Sequence, residues 1–217
     1  MDGNVRWAKK KKISIKEGYK KGLDKTNEII ELCLENKVKF LTLFALSSEN
    51  INRPNVNIIF ELISNNFNVF LEDITKNNKV RVQIFGNTNN LPKNIIRIIK
   101  KIEIATKENN QLHLNVALNY GSRNELVYCF NNLFNKKKNK DIVINERIIR
   151  DNLYLSDVPD PDILIRTGGF QRLSNFLLFQ LSYTDLFFTK TLWPDITKRE
   201  IINIFNEYKI IEKKYGL

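Results

Sequence analysis

Cysteine and histidine are nearly absent from this chain, and so is any long apolar run. Only two cysteines, Cys33 and Cys129, occur among 217 residues, far apart and inside apolar stretches. That count excludes a disulfide framework and predicts two buried, reduced thiols. A zinc centre is excluded as well, since His113 is the only histidine and no Cys-x-x-Cys pair occurs. A Ser-His-Asp triad would need Ser or Asp beside His113, and the alternation of LHLNVAL around it predicts a strand and a structural role. No apolar run approaches the ~20 residues of a membrane span. The start, MDGNVRWAKKKK, has no apolar h-region and is not a signal peptide. These absences predict a soluble protein, or one held at most at a membrane surface.

What is present supports a globular chain. Apolar residues make up 42 % of the sequence, and its length fits one domain with a sizeable core. The formal net charge is +11, which suits anionic partners such as nucleic acid, acidic lipid or phosphorylated metabolites. Lys, Asn and Ile also dominate throughout, as A+T-rich coding DNA would produce, so charge alone selects no partner. The runs KKKK at 9–12 and KKK at 136–138 read as solvated surface. No nucleic-acid-binding motif is present, and no nucleic-acid partner is expected.

Helical and strand patterns alternate along the chain. Leu23, Ile30, Cys33 and Leu34 mark one face of a first helix, and KFLTLFAL (39–46) reads as a strand buried on both faces. A long helix follows, striped by Ile59, Leu62, Ile63, Phe67, Phe70, Leu71 and Ile74. VRVQIFG (80–86) is a strand, and Pro92 opens a helix facing inward through Ile95, Ile98, Ile99 and Ile102. LHLNVAL (112–118), DILIR (162–166) and DLFFT (185–189) are further strands; RNELVYCFNNLF and a closing segment with Ile201, Ile204, Phe205 and Tyr208 are helices. The alternation predicts a single α/β domain over 1–217, without linker or repeat, built on a largely parallel sheet. In such sheets ligands lie beyond the carboxyl ends of strands, which singles out the loops 47–54, 119–123 and 166–175.

Three segments carry more polar chemistry than turns require. Ser47, Ser48, Glu49, Asn50, Asn52 and Arg53 suit either an Asx-type turn with a helix cap or a site that holds an anion beside a reacting group. In RTGGFQRLSNF (166–176), Arg166 and Arg172 flank a Gly-Gly turn that lets backbone N–H groups approach a ligand. Ser174 and Asn175 stand where a helix could begin, so the segment reads either as an anion site or as a helix cap with two surface arginines. In MDGNVRWAK, Asp2 is a hard oxygen ligand suited to Mg²⁺, and Gly3, Asn4 and Val5 can present consecutive N–H groups beside Arg6.

Taken together, MDGNVRWA (1–8), LTLFALSSENINRP (41–54), FGNTNNLP (85–92), LNVALNYGSRNEL (114–126) and DPDILIRTGGFQRLSNFLLFQLSYTDLFFTKTLWPD (160–195) resemble the cis-prenyltransferases, specifically the undecaprenyl diphosphate synthases of bacteria and plastids. The resemblance implies an α/β fold whose helices enclose an apolar tunnel, usually as a homodimer. It implies successive cis condensation of isopentenyl diphosphate onto an allylic diphosphate such as farnesyl diphosphate, with Mg²⁺. Asp2 would ligate the metal, with Asp185 as second metal-associated carboxylate. Gly3, Asn4, Val5, Arg6 and Arg53 would hold the allylic diphosphate, bordered by Trp7. Arg166, Arg172, Leu173 and Ser174 would hold isopentenyl diphosphate. Ser47, Ser48 and Glu49 would belong to a mobile loop, and Asn50 matches the proton-acceptor position, where an amide orients or relays a proton. The implied compartment is a bacterial cytoplasm or a plastid stroma, with peripheral membrane contact.

Several positions depart from the family pattern. Ile15 and Tyr19 stand for an Arg and a His, Ile51 for a Trp, Phe170 for a Glu and Asp185 for a Glu. Lys214-Tyr215-Gly216 stands for an Arg-x-Gly by which one subunit completes its neighbour's site. The apolar strand expected before the Asp-Gly-Asn turn is missing, which favours a start upstream of Met1. The alternative to an active enzyme is a noncatalytic subunit of the same fold that dimerises with a competent partner. Retention of Asp2, Arg53, Arg166, Arg172 and Ser174 argues against it; the changes at Ile15, Tyr19 and Phe170 argue for it.

Overall fold

Among the described residues every strand pairing is parallel, so each needs a crossover: helices supply those of the larger sheet, and an irregular segment supplies that of the two-stranded one. A computed structural model describes residues 1–136 and 143–212, with backbone alone at 67–77 and 136. In chain order the elements are α1 (Asn4–Lys11), α2 (Ile15–Glu35), β1 (Phe40–Ser47), α3 (Val56–Asn77), β2 (Val80–Phe85), α4 (Lys93–Ala105), β3 (Leu112–Tyr120), α5 (Ser122–Lys136), α6 (Glu146–Arg150), β4 (Ile163–Arg166), β5 (Asp185–Phe188) and α7 (Lys198–Ile210). The fold is α/β with a parallel sheet flanked by helices, as expected. Two compact units are built from interleaved segments: residues 1–32, 161–172 and 180 onward form one, and 33–160 with 173–179 form the other. No linker divides the chain into successive halves.

The unit containing residues 33–160 is organised around a three-stranded sheet of order β1-β3-β2. β3 is central and buried along most of its length, because it pairs on both edges. β1 differs from its expected burial on both faces: only Leu43 and Leu46 are buried, and Phe40 is exposed at its start. Its backbone pairs on one edge only within this sheet. Leu46, Leu91, Ile95, Ile99 and Leu118 form a core cluster, against which Ile51, Val56, Ile59, Phe60, Ile63 and Ile98 pack while remaining partly accessible. At ~1.5–3 kcal/mol per buried aliphatic side chain, this layer anchors α3 and α4 to the sheet. The stripe expected from Ile59 to Ile74 lies on α3; the side chains from Phe67 onward fall outside the described residues.

At the carboxyl end of β3, Glu125 is buried to 1 % exposure and accepts hydrogen bonds from the Tyr120 hydroxyl at 2.6 Å and the Tyr154 N–H at 2.9 Å. A carboxylate this deep must be paired, and these donors supply the pairing. Burial and the Glu125 charge push the Tyr120 hydroxyl well above its ordinary value, so it remains a donor. Cys33 and Cys129 are both buried and outside any disulfide, as expected, and burial pushes the Cys33 thiol up to about 11. His113 packs against Phe40 in β1, in keeping with a structural role.

In the other unit, β4 and β5 form a two-stranded parallel sheet with Ile163 opposite Asp185 and Arg166 opposite Phe188. A capping box starts α2: the Glu17 carboxylate accepts from the Ser14 N–H at 2.9 Å, and the Ser14 hydroxyl accepts from the Glu17 N–H at 3.2 Å. α1 lies close on α2 because Gly18 leaves room: a Cβ there would stand 2.8 Å from the Ala8 Cβ and the Asn4 oxygen. Thr197 caps α7 by accepting from the Glu200 N–H. Lys9–Lys12 are exposed, as the sequence suggested; the run at 136–138 falls outside the described side chains.

Candidate active site

Asp2 is fixed through its backbone before its side chain is considered. Its N–H donates to the Thr167 hydroxyl at 3.0 Å, and its carbonyl accepts from that hydroxyl at 3.2 Å and from the Trp193 N–H at 3.0 Å. Gly3 then takes φ 111, a left-handed conformation that costs an L side chain, and caps α1. A Cβ at Gly3 would stand 2.7 Å from Leu192 Cδ2. α1 begins at once, and the Gly3 carbonyl accepts its first helical bond from the Trp7 N–H. The early N–H groups of the helix, those of Asn4, Val5 and Arg6, therefore have no intrahelical acceptor and form an anion-binding end.

Around this turn the guanidiniums gather. The Asp2 carboxylate accepts from Arg6 Nη2 at 3.2 Å through one oxygen and from Arg166 Nη2 at 3.2 Å through the other. Arg6 also donates to the Gly168 carbonyl at 2.7 Å, and Arg166 donates to the Arg172 carbonyl. Gly168 and Gly169, at φ 88 and 83, turn the chain after β4, pinned by N–H bonds to the Thr191 and Thr189 carbonyls. Phe170 follows them, with Arg172, Arg6 and Arg166 over its ring at 4.4, 4.8 and 5.9 Å. Three of the segments' arginines are thus brought together with Asp2. Trp7 turns elsewhere: its indole N–H donates to Asp195 at 2.7 Å, and Lys11 lies over its ring.

In the other unit, all three loops singled out by the sequence meet at Asn175. Its side-chain amide donates to Glu49 at 2.7 Å, its side-chain oxygen accepts from the Arg123 N–H at 2.9 Å, and its carbonyl accepts from the Ser122 N–H at 2.8 Å. Gly121 permits this approach, since a Cβ there would stand 2.5 Å from the Ser48 hydroxyl and 2.7 Å from the Asn175 amide. Partial burial works to raise the Glu49 carboxyl. Hydrogen bonds from Asn175, from its own backbone and from Ser47 and Ser48 outweigh it, and the net shift is downward. Ser48, Glu49 and Asn50 form a short 3-10 turn, and the Asn50 carbonyl accepts from the Arg53 N–H at 3.1 Å, leaving the Arg53 side chain exposed.

One expectation requires correction. No helix begins at Ser174 and Asn175, because both adopt left-handed backbone, φ 50 and 62, which cannot enter a right-handed helix. Leu173 instead closes a tight turn by accepting from the Phe176 N–H. Asp185 stands opposite Ile163 at the start of the strand pair, and Arg166 stands three residues further along. That offset is about 10 Å at the rise of a strand. Lys214-Tyr215-Gly216 lies outside the described residues. Thr167, only 2 % exposed, is not singled out by the sequence, and Asn175 is singled out only as part of a helix start. Their signal lay in the motifs themselves, RTGG and LSN, but neither residue type announces a backbone-pinning role.

The donor set fits Mg²⁺ of one kind. A carboxylate accepts at about four lone-pair positions, so Asp2 can pair with two arginines and still ligate a cation. Mg²⁺ commonly takes one or two carboxylates and completes its shell with water and substrate phosphates. Among the described residues no group of three or more His, Cys, Asp or Glu side chains converges. Asp2 therefore suits a metal bridged to a diphosphate and not an all-protein cage.

A helix N-terminus, a carboxylate and three arginines gathered at one strand end of a parallel α/β fold suit the class of phosphate-handling enzymes. Comparison with known proteins makes the class specific. The family described as "Putative undecaprenyl diphosphate synthase" matches residues 1–216. The isoprenyl transferase of Aquifex aeolicus is 38 % identical over 218 residues, covering 100 % of this chain and 93 % of that protein. Dehydrodolichyl diphosphate synthase 2 of Arabidopsis thaliana is 36 % identical, covering 100 % of this chain and 72 % of that protein. Lavandulyl diphosphate synthase from Lavandula x intermedia, solved with dimethylallyl diphosphate, superposes with a TM-score of 0.95 at 26 % identity over 100 % of this chain and 95 % of that one. A probable undecaprenyl diphosphate synthase from Campylobacter jejuni gives 0.81 at 35 % identity over 91 % and 93 %. The chain belongs to the undecaprenyl diphosphate synthase family and is a prenyltransferase.

Proposed function

We propose that this enzyme condenses isopentenyl diphosphate successively, in cis geometry, onto an allylic diphosphate such as farnesyl diphosphate. The observation that carries the reading is the Asp2 carboxylate held between Arg6 and Arg166 at the N-terminus of α1. Such a cluster gives a diphosphate both hydrogen-bond donors and charge in a fixed arrangement. The α1 N–H groups of Asn4, Val5 and Arg6 bind the allylic diphosphate, and Gly3 lets it approach. Arg166 and Arg172 bind the diphosphate of the incoming isopentenyl unit through paired N–H donors. Mg²⁺, held by Asp2, would supply Lewis-acid stabilisation of the leaving diphosphate.

As the allylic C–O bond breaks, negative charge grows on the departing diphosphate, where the arginines and helix N-terminus stabilise it. The isopentenyl double bond attacks the electron-poor allylic carbon through its terminal carbon, which leaves a tertiary cation, and a proton lost from the methylene on the far side of that cation restores a double bond. Asn50 orients or relays that proton, since an amide is too weak a base to keep it; the released diphosphate is the final acceptor. In the other unit, Ser47, Ser48 and Glu49 shape a polar loop set by Asn175, Leu173 and Ser174 line the turn beside it, and Arg53 offers an exposed guanidinium to phosphate. The partly accessible apolar layer of Ile51, Ile59, Phe60, Ile63 and Ile98 suits the wall of a tunnel for the growing hydrocarbon.

We further propose a homodimer, and peripheral contact with the membrane that receives the lipid product, in a bacterial cytoplasm or a plastid stroma. Among the described residues no helix is long and apolar enough to cross a membrane. The noncatalytic-subunit reading gains nothing from the comparisons, whose relatives are named as synthases and transferases. Incubation with farnesyl diphosphate, labelled isopentenyl diphosphate and Mg²⁺ tests the proposal. A labelled, Mg²⁺-dependent cis-polyprenyl product is expected, and its absence would contradict the reading.

A further inference from the structure

Phe170 is 41 % exposed, yet three cationic side chains crowd its ring. The guanidinium carbons of Arg172, Arg6 and Arg166 stand 4.4, 4.8 and 5.9 Å from its centroid, all within reach of a cation–π contact. Three like charges gathered this closely repel one another, and Asp2 offsets only part of that repulsion through Arg6 and Arg166. Among the described residues no ion pair with a carboxylate ties Arg172 into the cluster; its guanidinium lies over the ring. The ring is itself placed with care. Two consecutive left-handed glycines precede it, and both donate backbone hydrogen bonds to the segment after β5, at 2.8 and 2.9 Å.

We infer that Phe170 is a positioning residue for the diphosphate cradle: its π face holds Arg6, Arg166 and Arg172 in a common orientation before substrate arrives, without adding a carboxylate that would compete for their donors. A guanidinium over a ring keeps its N–H groups in its own plane, directed outward and available to phosphate oxygens. A carboxylate in the same place would occupy those N–H groups in hydrogen bonds that a diphosphate must break. This inference rests on the proposed diphosphate chemistry and extends it to a residue that touches the substrate only through others.

The test uses the full chain, as wild type, Phe170→Leu and Phe170→Tyr, with two readouts. Calorimetric titration with inorganic pyrophosphate, without metal, reads the cradle independently of prenyl transfer. Steady-state kinetics read KM for isopentenyl diphosphate against kcat. Phe170→Leu, which keeps the bulk and removes the π face, should weaken pyrophosphate binding three- to tenfold and raise KM by a similar factor, with kcat changed less than twofold. Phe170→Tyr, which restores the π face, should restore both. Equal pyrophosphate affinity in wild type and Phe170→Leu, a loss that Phe170→Tyr fails to rescue, or a wild type that binds no pyrophosphate would each overturn the inference. Ring-dependent pyrophosphate binding in a protein that transfers no prenyl group would uphold the inference and overturn the proposed reaction. Prenyl transfer with ring-independent binding would do the reverse.

Discussion

The carboxylate of Asp2 meets the guanidinium of Arg166 at 3.2 Å across 164 positions of sequence. The contact joins the turn that opens α1 to the carboxyl end of β4, where a parallel strand pair presents its ligands. Asp2 arrives there through its backbone, held by Thr167 and Trp193, so its side chain is left for charge. Arg166 reaches two acceptors, the Asp2 carboxylate and the Arg172 carbonyl.

That double reach predicts the behaviour of conservative change at Arg166. Lysine keeps the charge but cannot span two acceptors with one planar fork. Arg166→Lys should raise KM for isopentenyl diphosphate about tenfold, and Arg166→Ala should raise it further, with stability lowered by at most about 1 kcal/mol because the Asp2 partner is partly solvated. Steady-state kinetics and urea unfolding read the two effects separately.

Gly168 and Gly169 offer an internal control on geometry. Both have positive φ, so alanine strains either one by about 1–2 kcal/mol. A Cβ at Gly168 would also stand 2.5 Å from Arg6 Nη2 and 3.1 Å from the Asp2 carbonyl, whereas at Gly169 the nearest atom is 3.8 Å away. Gly169→Ala should lower the thermal midpoint through backbone strain alone, whereas Gly168→Ala should lower it further and also weaken pyrophosphate binding. Calorimetry on the two variants distinguishes crowding of Arg6 from backbone strain.

Glu49 gives the loop beyond β1 an acid-sensitive anchor. Its folded carboxyl titrates below its ordinary value of 4.5, so it binds protons more weakly when folded. The stability it contributes is present above that ordinary value and is lost as pH falls through the lower folded value. The thermal-midpoint difference between wild type and Glu49→Gln should be largest near neutrality and shrink as pH is lowered below about 4.5. A difference constant down to pH 3 would show that the carboxylate form has no special partner.

Tyr120→Phe should act on stability alone. The ring contacts with Phe85 and Phe176 survive the change, but buried Glu125 loses its 2.6 Å hydroxyl donor. A buried charged acceptor deprived of a donor costs about 2–3 kcal/mol. Denaturant unfolding should show that loss, while KM values remain within twofold of wild type.

Much of this molecule was legible in the sequence because long periodic segments dictate their own structure. The described part of the α3 stripe (Ile59, Leu62 and Ile63), the alternation of β2 and Pro92 ahead of α4 all appear where periodicity and backbone chemistry placed them. Two short helices escaped. α1 is lysine-rich with little apolar pattern, and α6 is a five-residue helix that Asn145 caps by accepting from the Ile148 N–H. The paired left-handed residues Ser174 and Asn175 also escaped, since a serine after an apolar residue resembles a helix cap and nothing local reveals that Asn175 must reach Glu49, Ser122 and Arg123. Asp2, Arg6, Arg166 and Arg172 were legible as residues with anion chemistry. Their assembly around Phe170 was not, because it depends on contacts between segments more than 160 positions apart.

The central claim, that Asp2 anchors a Mg²⁺-dependent diphosphate cradle for prenyl transfer, is tested most directly by one comparison. Incorporation of labelled isopentenyl diphosphate onto farnesyl diphosphate is measured for wild type and Asp2→Ala, each across a Mg²⁺ titration. The account predicts Mg²⁺-dependent polyprenyl product from wild type, and a rate lower by about a hundredfold or more in Asp2→Ala, the size expected when one pre-placed electrostatic group is removed. Equal rates and equal Mg²⁺ dependence in the two proteins would contradict it.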